Sequence, residues 1–176
     1  MASFPTNPRR FAPLLLTLIL GACTPAPAPA PEPVPPAAAP PAPPPAPSAD
    51  WRDWPLAPGT WRYIAGTPIS EARYGTPQAA QFVVRCDAGK RQVTLMRAGS
   101  TTELTVMAST RSARFPAGHI DDRGAAMSGV VLNANDGFLD VMAFSRGRIA
   151  VTAPGLPGIA LPAWAEPARA IEDCRK

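Results

Sequence analysis

The groups in this chain that could do chemistry are few. Three cysteines, Cys23, Cys86 and Cys174, are widely spaced, and His119 is the single histidine. Three thiols cannot complete a four-cysteine zinc site, and one imidazole cannot support a histidine-rich one. His119 lies close to Asp121 and Asp122. With Ser128 or Ser145 these residues make the raw list of a hydrolytic triad. No G-x-S-x-G turn is present to raise either serine as a nucleophile, so a solvated loop histidine is the default reading. The inventory predicts a non-enzymatic chain with no catalytic residue, metal or cofactor. Its formal charge of +4 is not a concentrated basic stripe, which argues against a nucleic-acid partner.

Binding is the other chemistry on offer. Trp51, Trp54 and Trp61 fall within eleven residues, with Tyr63 close behind. Pro55, Pro58 and Gly59 put the first two on irregular chain. Such rings either cap one end of a core or form an exposed platform, with Trp51 and Trp54 as its contacts. Arg146 and Arg148 lie in Ser145-Arg146-Gly147-Arg148. They either complement a helix C-terminus or clamp an anion through bidentate hydrogen bonds. Glu166, Glu172 and Asp173 are alternative partners for them within the domain.

Three stretches of different composition would carry these groups. Residues 1–22 hold Arg9 and Arg10, then the apolar run FAPLLLTLIL. Ten apolar residues are too few for a membrane span of about 20, and the pattern is that of a secretory signal peptide. Leu20-Gly21-Ala22-Cys23 resembles the lipobox of bacterial lipoproteins. The resemblance implies cleavage before Cys23, lipidation of its thiol (palmitate among the chains) and acylation of the new amine. Thr24 stands where an inner-membrane retention signal would place Asp, which implies the outer membrane. Residues 24–49 contain 13 of the 25 prolines. Alternating Pro and Ala lacks too many donors for helix or sheet and favours an extended polyproline II spacer. At about 3.1 Å per residue it would reach roughly 80 Å.

Residues 50–176 read as one β-rich domain. Strands are expected over 60–65, 81–86, 91–96, 103–109 and 112–115, the second and third forming a hairpin around Asp87-Ala88-Gly89-Lys90. Glycines and aspartates make 116–129 a loop. A short strand over 130–132 leads to a helix over 136–144, capped by Asn133 or Asn135 and stopped by Gly147. Strands over 148–152 and 159–161 flank the Pro154-Gly155 turn, and Pro167 opens a last helix through Asp173. The predicted class is mainly β (α+β): a small antiparallel sandwich or meander with two short helices, the last C-terminal. With Cys23 lipidated in an oxidising compartment, Cys86 and Cys174 are left to form a disulfide.

Residues 82–176, with these hairpins, the short helix, the Ile159–Leu161 return and the closing helix, resemble the invasion-associated locus B family of periplasmic β domains. Phe82 to Leu95, containing Cys86-Asp87-Ala88-Gly89-Lys90, also resembles membrane-bound lysozyme inhibitors. Those place a tyrosine shortly after a Ser-Gly pair, whereas Ser128-Gly129 is followed here by Val130-Val131-Leu132. The expectation is a lipid-anchored envelope protein at the outer membrane, presenting a binding or structural domain in the periplasm or at the surface. Its partners would be the membrane, through lipid, and an envelope protein or peptidoglycan. The alternative is inhibition of a lysozyme-like or proteolytic enzyme. Labelled palmitate should enter the full chain and should be lost in Cys23→Ser; label persisting in that variant would exclude the anchor.

Overall fold

A computed structural model describes residues 48–176; Cys23, the signal segment and all but the end of the Pro/Ala stretch lie outside them. Ten strands and two helices follow: β1 Thr60–Ile64, β2 Ile69–Gly75, β3 Ala80–Asp87, β4 Gln92–Ala98, β5 Glu103–Met107, β6 Ser112–Pro116, β7 Gly118–Asp122, β8 Ala125–Asn133, α1 Gly137–Ala143, β9 Arg148–Ala153, β10 Leu156–Pro162 and α2 Ala165–Asp173. A single 3-10 turn, Trp51–Asp53, precedes them. The fold is mainly β, as its alternating apolar pattern predicts.

All strand pairs are antiparallel. One sheet has the order β1-β2-β3-β4-β8-β7 and the other β10-β9-β5-β6. Alternate residues of each strand point to opposite faces. Tyr74, Phe82, Val84, Val93 and Leu95 of the first sheet therefore meet Leu104, Val106, Val151 and Leu161 of the second in one core. Trp61 belongs to this core too. Its ring packs edge-on to Tyr74 at 5.3 Å, and its indole N–H donates to the Pro162 carbonyl at 2.8 Å.

Two expectations are corrected. Residues 116–129 are not a loop: β7 and the first half of β8 form a hairpin whose register pairs Asp122 with Ala125. The two central residues of its turn, Arg123 and Gly124, have φ of 58° and 83°. Such left-handed values suit the right-handed twist of a two-residue hairpin. The segment before residue 80 also supplies a strand, β2, which the alternating charges of Ile69-Ser70-Glu71-Ala72-Arg73 conceal.

The central strands are buried on both faces. Val83, Met96 and Met127 point away from the main core and form a second apolar cluster, with Ala80, Ala98 and Ile120 around it. Gly129 on β8 makes this possible. A Cβ there would meet the Leu95 carbonyl and Ile120 Cδ1, each at 2.7 Å, and Met96 Cγ at 2.9 Å.

Both ends of the domain are fastened. Cys86 of β3 and Cys174, at the end of α2, form a disulfide with Cα atoms 5.4 Å apart, as the cysteine count predicts. Ala170, Ile171 and Cys174 face the core, and Arg175 pairs with Asp140 at 2.6 Å. At the other end, Trp54 lies over Gly158, where a Cβ would meet the ring at 2.5 Å. Leu56 makes a parallel bridge with Ala160.

Removing the disulfide in Cys86→Ala/Cys174→Ala should cost about 2–5 kcal/mol, the usual value for a native bridge in a small secreted domain. Thermal melting and amide exchange should show lower stability and faster exchange confined first to α2. Two free thiols in protein prepared without reductant would exclude the bridge.

Candidate functional site

Five charged side chains gather on the outer face of the six-stranded sheet, beside the second apolar cluster. Register explains part of the gathering, because Glu71 on β2 lies directly opposite Arg85 on β3. Arg73 is two residues further along β2 and so on the same face. Asp122 and Arg123 arrive from the β7–β8 hairpin. Three strands separate β2 from β7 in the sheet order. At about 4.8 Å per strand a flat sheet would hold them roughly 19 Å apart. Instead Arg73 Nη2 donates to Asp122 Oδ2 at 2.6 Å. The sheet curls until its two edge regions meet, and Val83, Met96 and Met127 fill the hollow.

The contacts form a closed network. Asp122 accepts from Arg73 through both oxygens and from Arg85 as well. Glu71 accepts from Arg85 Nε at 2.6 Å, Arg73 Nη1 at 3.1 Å and Arg123 Nη2 at 2.6 Å. Asp122 is 2% exposed, Glu71 3% and Arg73 8%. Burial disfavours ionised Asp122, but the hydrogen bond and charge of Arg73, then the charge of Arg85, outweigh it. They hold its carboxyl below the ordinary range. Burial likewise disfavours charged Arg73, and Asp122 and Glu71 reverse the balance and raise it.

A cleft of about 660 Å³ opens beside this network, between the β1–β2 and β7–β8 ends. Arg62, Arg73, Arg123 and Asp122 are its charged lining, and Ile64, Ala80, Ala98 and Met127 its apolar wall. Arg62 lies directly opposite Arg73 across β1 and β2. Like charges in that position repel. Arg73 is neutralised by its carboxylates, but among the described residues Arg62 has no acidic partner and gives one N–H to the Thr76 carbonyl at 2.7 Å. A second cavity, about 460 Å³, lies beside the disulfide. Its Asp173 and Lys176 neutralise each other at 2.8 Å, so it lacks the uncompensated charge of the first.

The residues singled out from sequence lie elsewhere. His119 is exposed on β7. Asp121 is exposed too and accepts from the Gly124 N–H, while Asp122 turns to the opposite face. Ser128 donates to the Gly99 carbonyl and accepts from the Thr101 N–H. Ser145 accepts from the Ser109 N–H and donates to the Arg148 carbonyl. Both hydroxyls hold turns together, and the triad parts are not assembled. Trp51 and Trp54 are half-buried. The Arg52 guanidinium stacks on Trp51 at 4.7 Å, and the Trp54 indole donates to the Ser48 carbonyl at 2.6 Å. Arg148 donates to the Trp54 carbonyl, which joins those two residues in one structural latch, while Arg146 remains exposed on the turn.

No family model, curated protein or solved structure matches this chain. The site therefore rests on its own geometry. Sequence reasoning missed Glu71, Arg73, Arg85 and Arg123. The available signal was Glu71-Ala72-Arg73 with Arg85, whose charges alternate along what proves to be a buried strand pair.

Asp122 generates a pH prediction. Its folded pKa lies below the ordinary 3.8, so its stabilising contribution is complete above that value and is lost as pH falls through the lower folded one. Breaking a buried pair costs roughly 3–5 kcal/mol. Urea unfolding of Asp122→Asn should show about that deficit at pH 7, and the two proteins should converge as the solution is acidified below 3.8. A constant gap down to pH 2 would exclude the assignment.

Proposed function

We propose that this chain is a lipid-anchored envelope protein of the outer membrane that acts by binding, not by catalysis. The arginine-rimmed cleft is its recognition surface. The lipobox-like Leu20-Gly21-Ala22-Cys23 and the Pro/Ala stretch support the anchor and spacer. The observation that carries the binding reading is the cleft itself. Its two buried carboxylates are consumed in pairing with Arg73, Arg85 and Arg123, which suits a rigid electrostatic template and not an acid–base pair. A pre-formed cavity with an apolar wall and a few placed charges is the usual form of a small-ligand or side-chain pocket. The ligand would come from an envelope protein or glycan.

A photo-crosslinking residue in place of Ile64, at the cleft mouth, tests this in cells making the full chain. The expected result is a discrete adduct that disappears when Arg62→Ala is added, with the protein still in the membrane fraction. An adduct pattern indifferent to Arg62, or no adduct at all, would overturn the cleft as the recognition surface.

A further inference from the structure

We infer that the cleft takes an organic oxyanion, a carboxylate or phosphate ester with a small apolar body, gripped between Arg62 and Arg123. This deepens the binding reading and rests on it. Arg62, Arg73, Arg85 and Arg123 face only two carboxylates, Glu71 and Asp122, in the cleft and its adjoining network. Two positive charges are therefore left uncompensated among the described residues.

Those charges are not spread evenly. Arg73 and Arg85 each contact both carboxylates, so the surplus falls on Arg62 and Arg123. Each commits one terminal amino group, Arg62 to the Thr76 carbonyl and Arg123 to Glu71. Their other guanidinium N–H groups have no acceptor among the described residues. A guanidinium with an open N–H edge matches the paired oxygens of a carboxylate or phosphate. Arg73, in direct register with Arg62, is neutralised by Asp122 and Glu71, so Arg62 is the guanidinium of that pair left for an anion.

The apolar half of the ligand follows from the apolar residues that share the cavity with the charge. Ile64, Ala80, Ala98 and Met127 line the same cavity, and small side chains there leave room for a ring or short chain. A bare inorganic anion would leave that surface wet. The fit is to an anion with an attached apolar group.

The test uses the full chain in non-ionic detergent, titrated by calorimetry with benzoate, phenyl phosphate, inorganic phosphate and phenol. Benzoate or phenyl phosphate should bind at one site per chain, at least tenfold more tightly than inorganic phosphate or phenol. The stronger of the two identifies carboxylate or phosphate as the head group. Arg62→Gln should weaken that binding at least tenfold without changing the melting temperature, and the Met127 methyl resonance should shift on binding in the parent only. Equal binding of inorganic phosphate would overturn the apolar half. Absence of organic-anion binding at millimolar concentration, or binding unchanged in Arg62→Gln, would overturn the whole inference. If small anions fail while the Arg62-dependent Ile64 adduct persists, the ligand chemistry is wrong and the binding role stands.

Discussion

Asp122 is the point on which the architecture turns. Its two oxygens receive guanidinium N–H groups from β2 and β3, while its own strand lies at the far edge of the sheet. Holding those ends together converts a six-stranded sheet with one buried face into one whose central strands are buried twice. Desolvating a carboxylate is expensive, and an ion pair repays it only when further hydrogen bonds satisfy the remaining lone pairs. Here Arg73 and Arg85 donate to both Asp122 and Glu71, and Arg123 donates to Glu71, in a continuous network. The absence of a Cβ at Gly129, so close to the Leu95 carbonyl, lets the strands approach closely beneath the clasp. Charge and packing thus fix the same curvature.

The cleft is a by-product of that curvature. The edges meet at Asp122 but leave the β1 side open, and Arg62 stands at the gap. The cleft and the clasp consequently share residues: Arg73 lines the cleft and pairs with Asp122, while Arg62 lines the cleft alone. This separation makes Arg62 the informative position for the proposed binding and Asp122 the informative one for folding.

Much of the fold could be read from sequence, and the failures have one cause. β3, β4 and β5 present apolar residues at alternating positions, and Phe82-Val83-Val84 even betrays a strand buried on both faces. The disulfide follows from the cysteine count once Cys23 is set aside by its lipobox-like context. By contrast, β2 and β7 place Glu71, Arg73 and Asp122 where a hydrophobic pattern expects apolar side chains. These residues tolerate burial only because of partners as many as 52 positions away along the chain. Local pattern cannot reveal such pairing. Gly118, Gly124 and Gly129 read as loop markers, whereas one starts a strand, one completes a tight turn and one admits close packing. Arg62 facing Arg73 is a fact of register and has no signature in either strand alone.

The latch at the start of the domain has a mechanical consequence. Residues 54–57 do not simply enter β1. Trp54 covers Gly158, Arg148 holds the Trp54 carbonyl, and the Ala57 N–H donates to the Ala160 carbonyl at 2.8 Å, in a single parallel bridge between Leu56 and Ala160 of β10. A pull applied to the chain from its N-terminal side meets these contacts before it reaches the hydrogen-bond ladder of β1 and β2. The Trp54 ring, the Arg148 hydrogen bond and the Ala57 bridge lie within four residues of one another, so all three stand in the path of that pull. The position of this latch makes it a strain relief: tension on the leading segment is spent on β9 and β10, and the edge strand that carries Arg62 is spared.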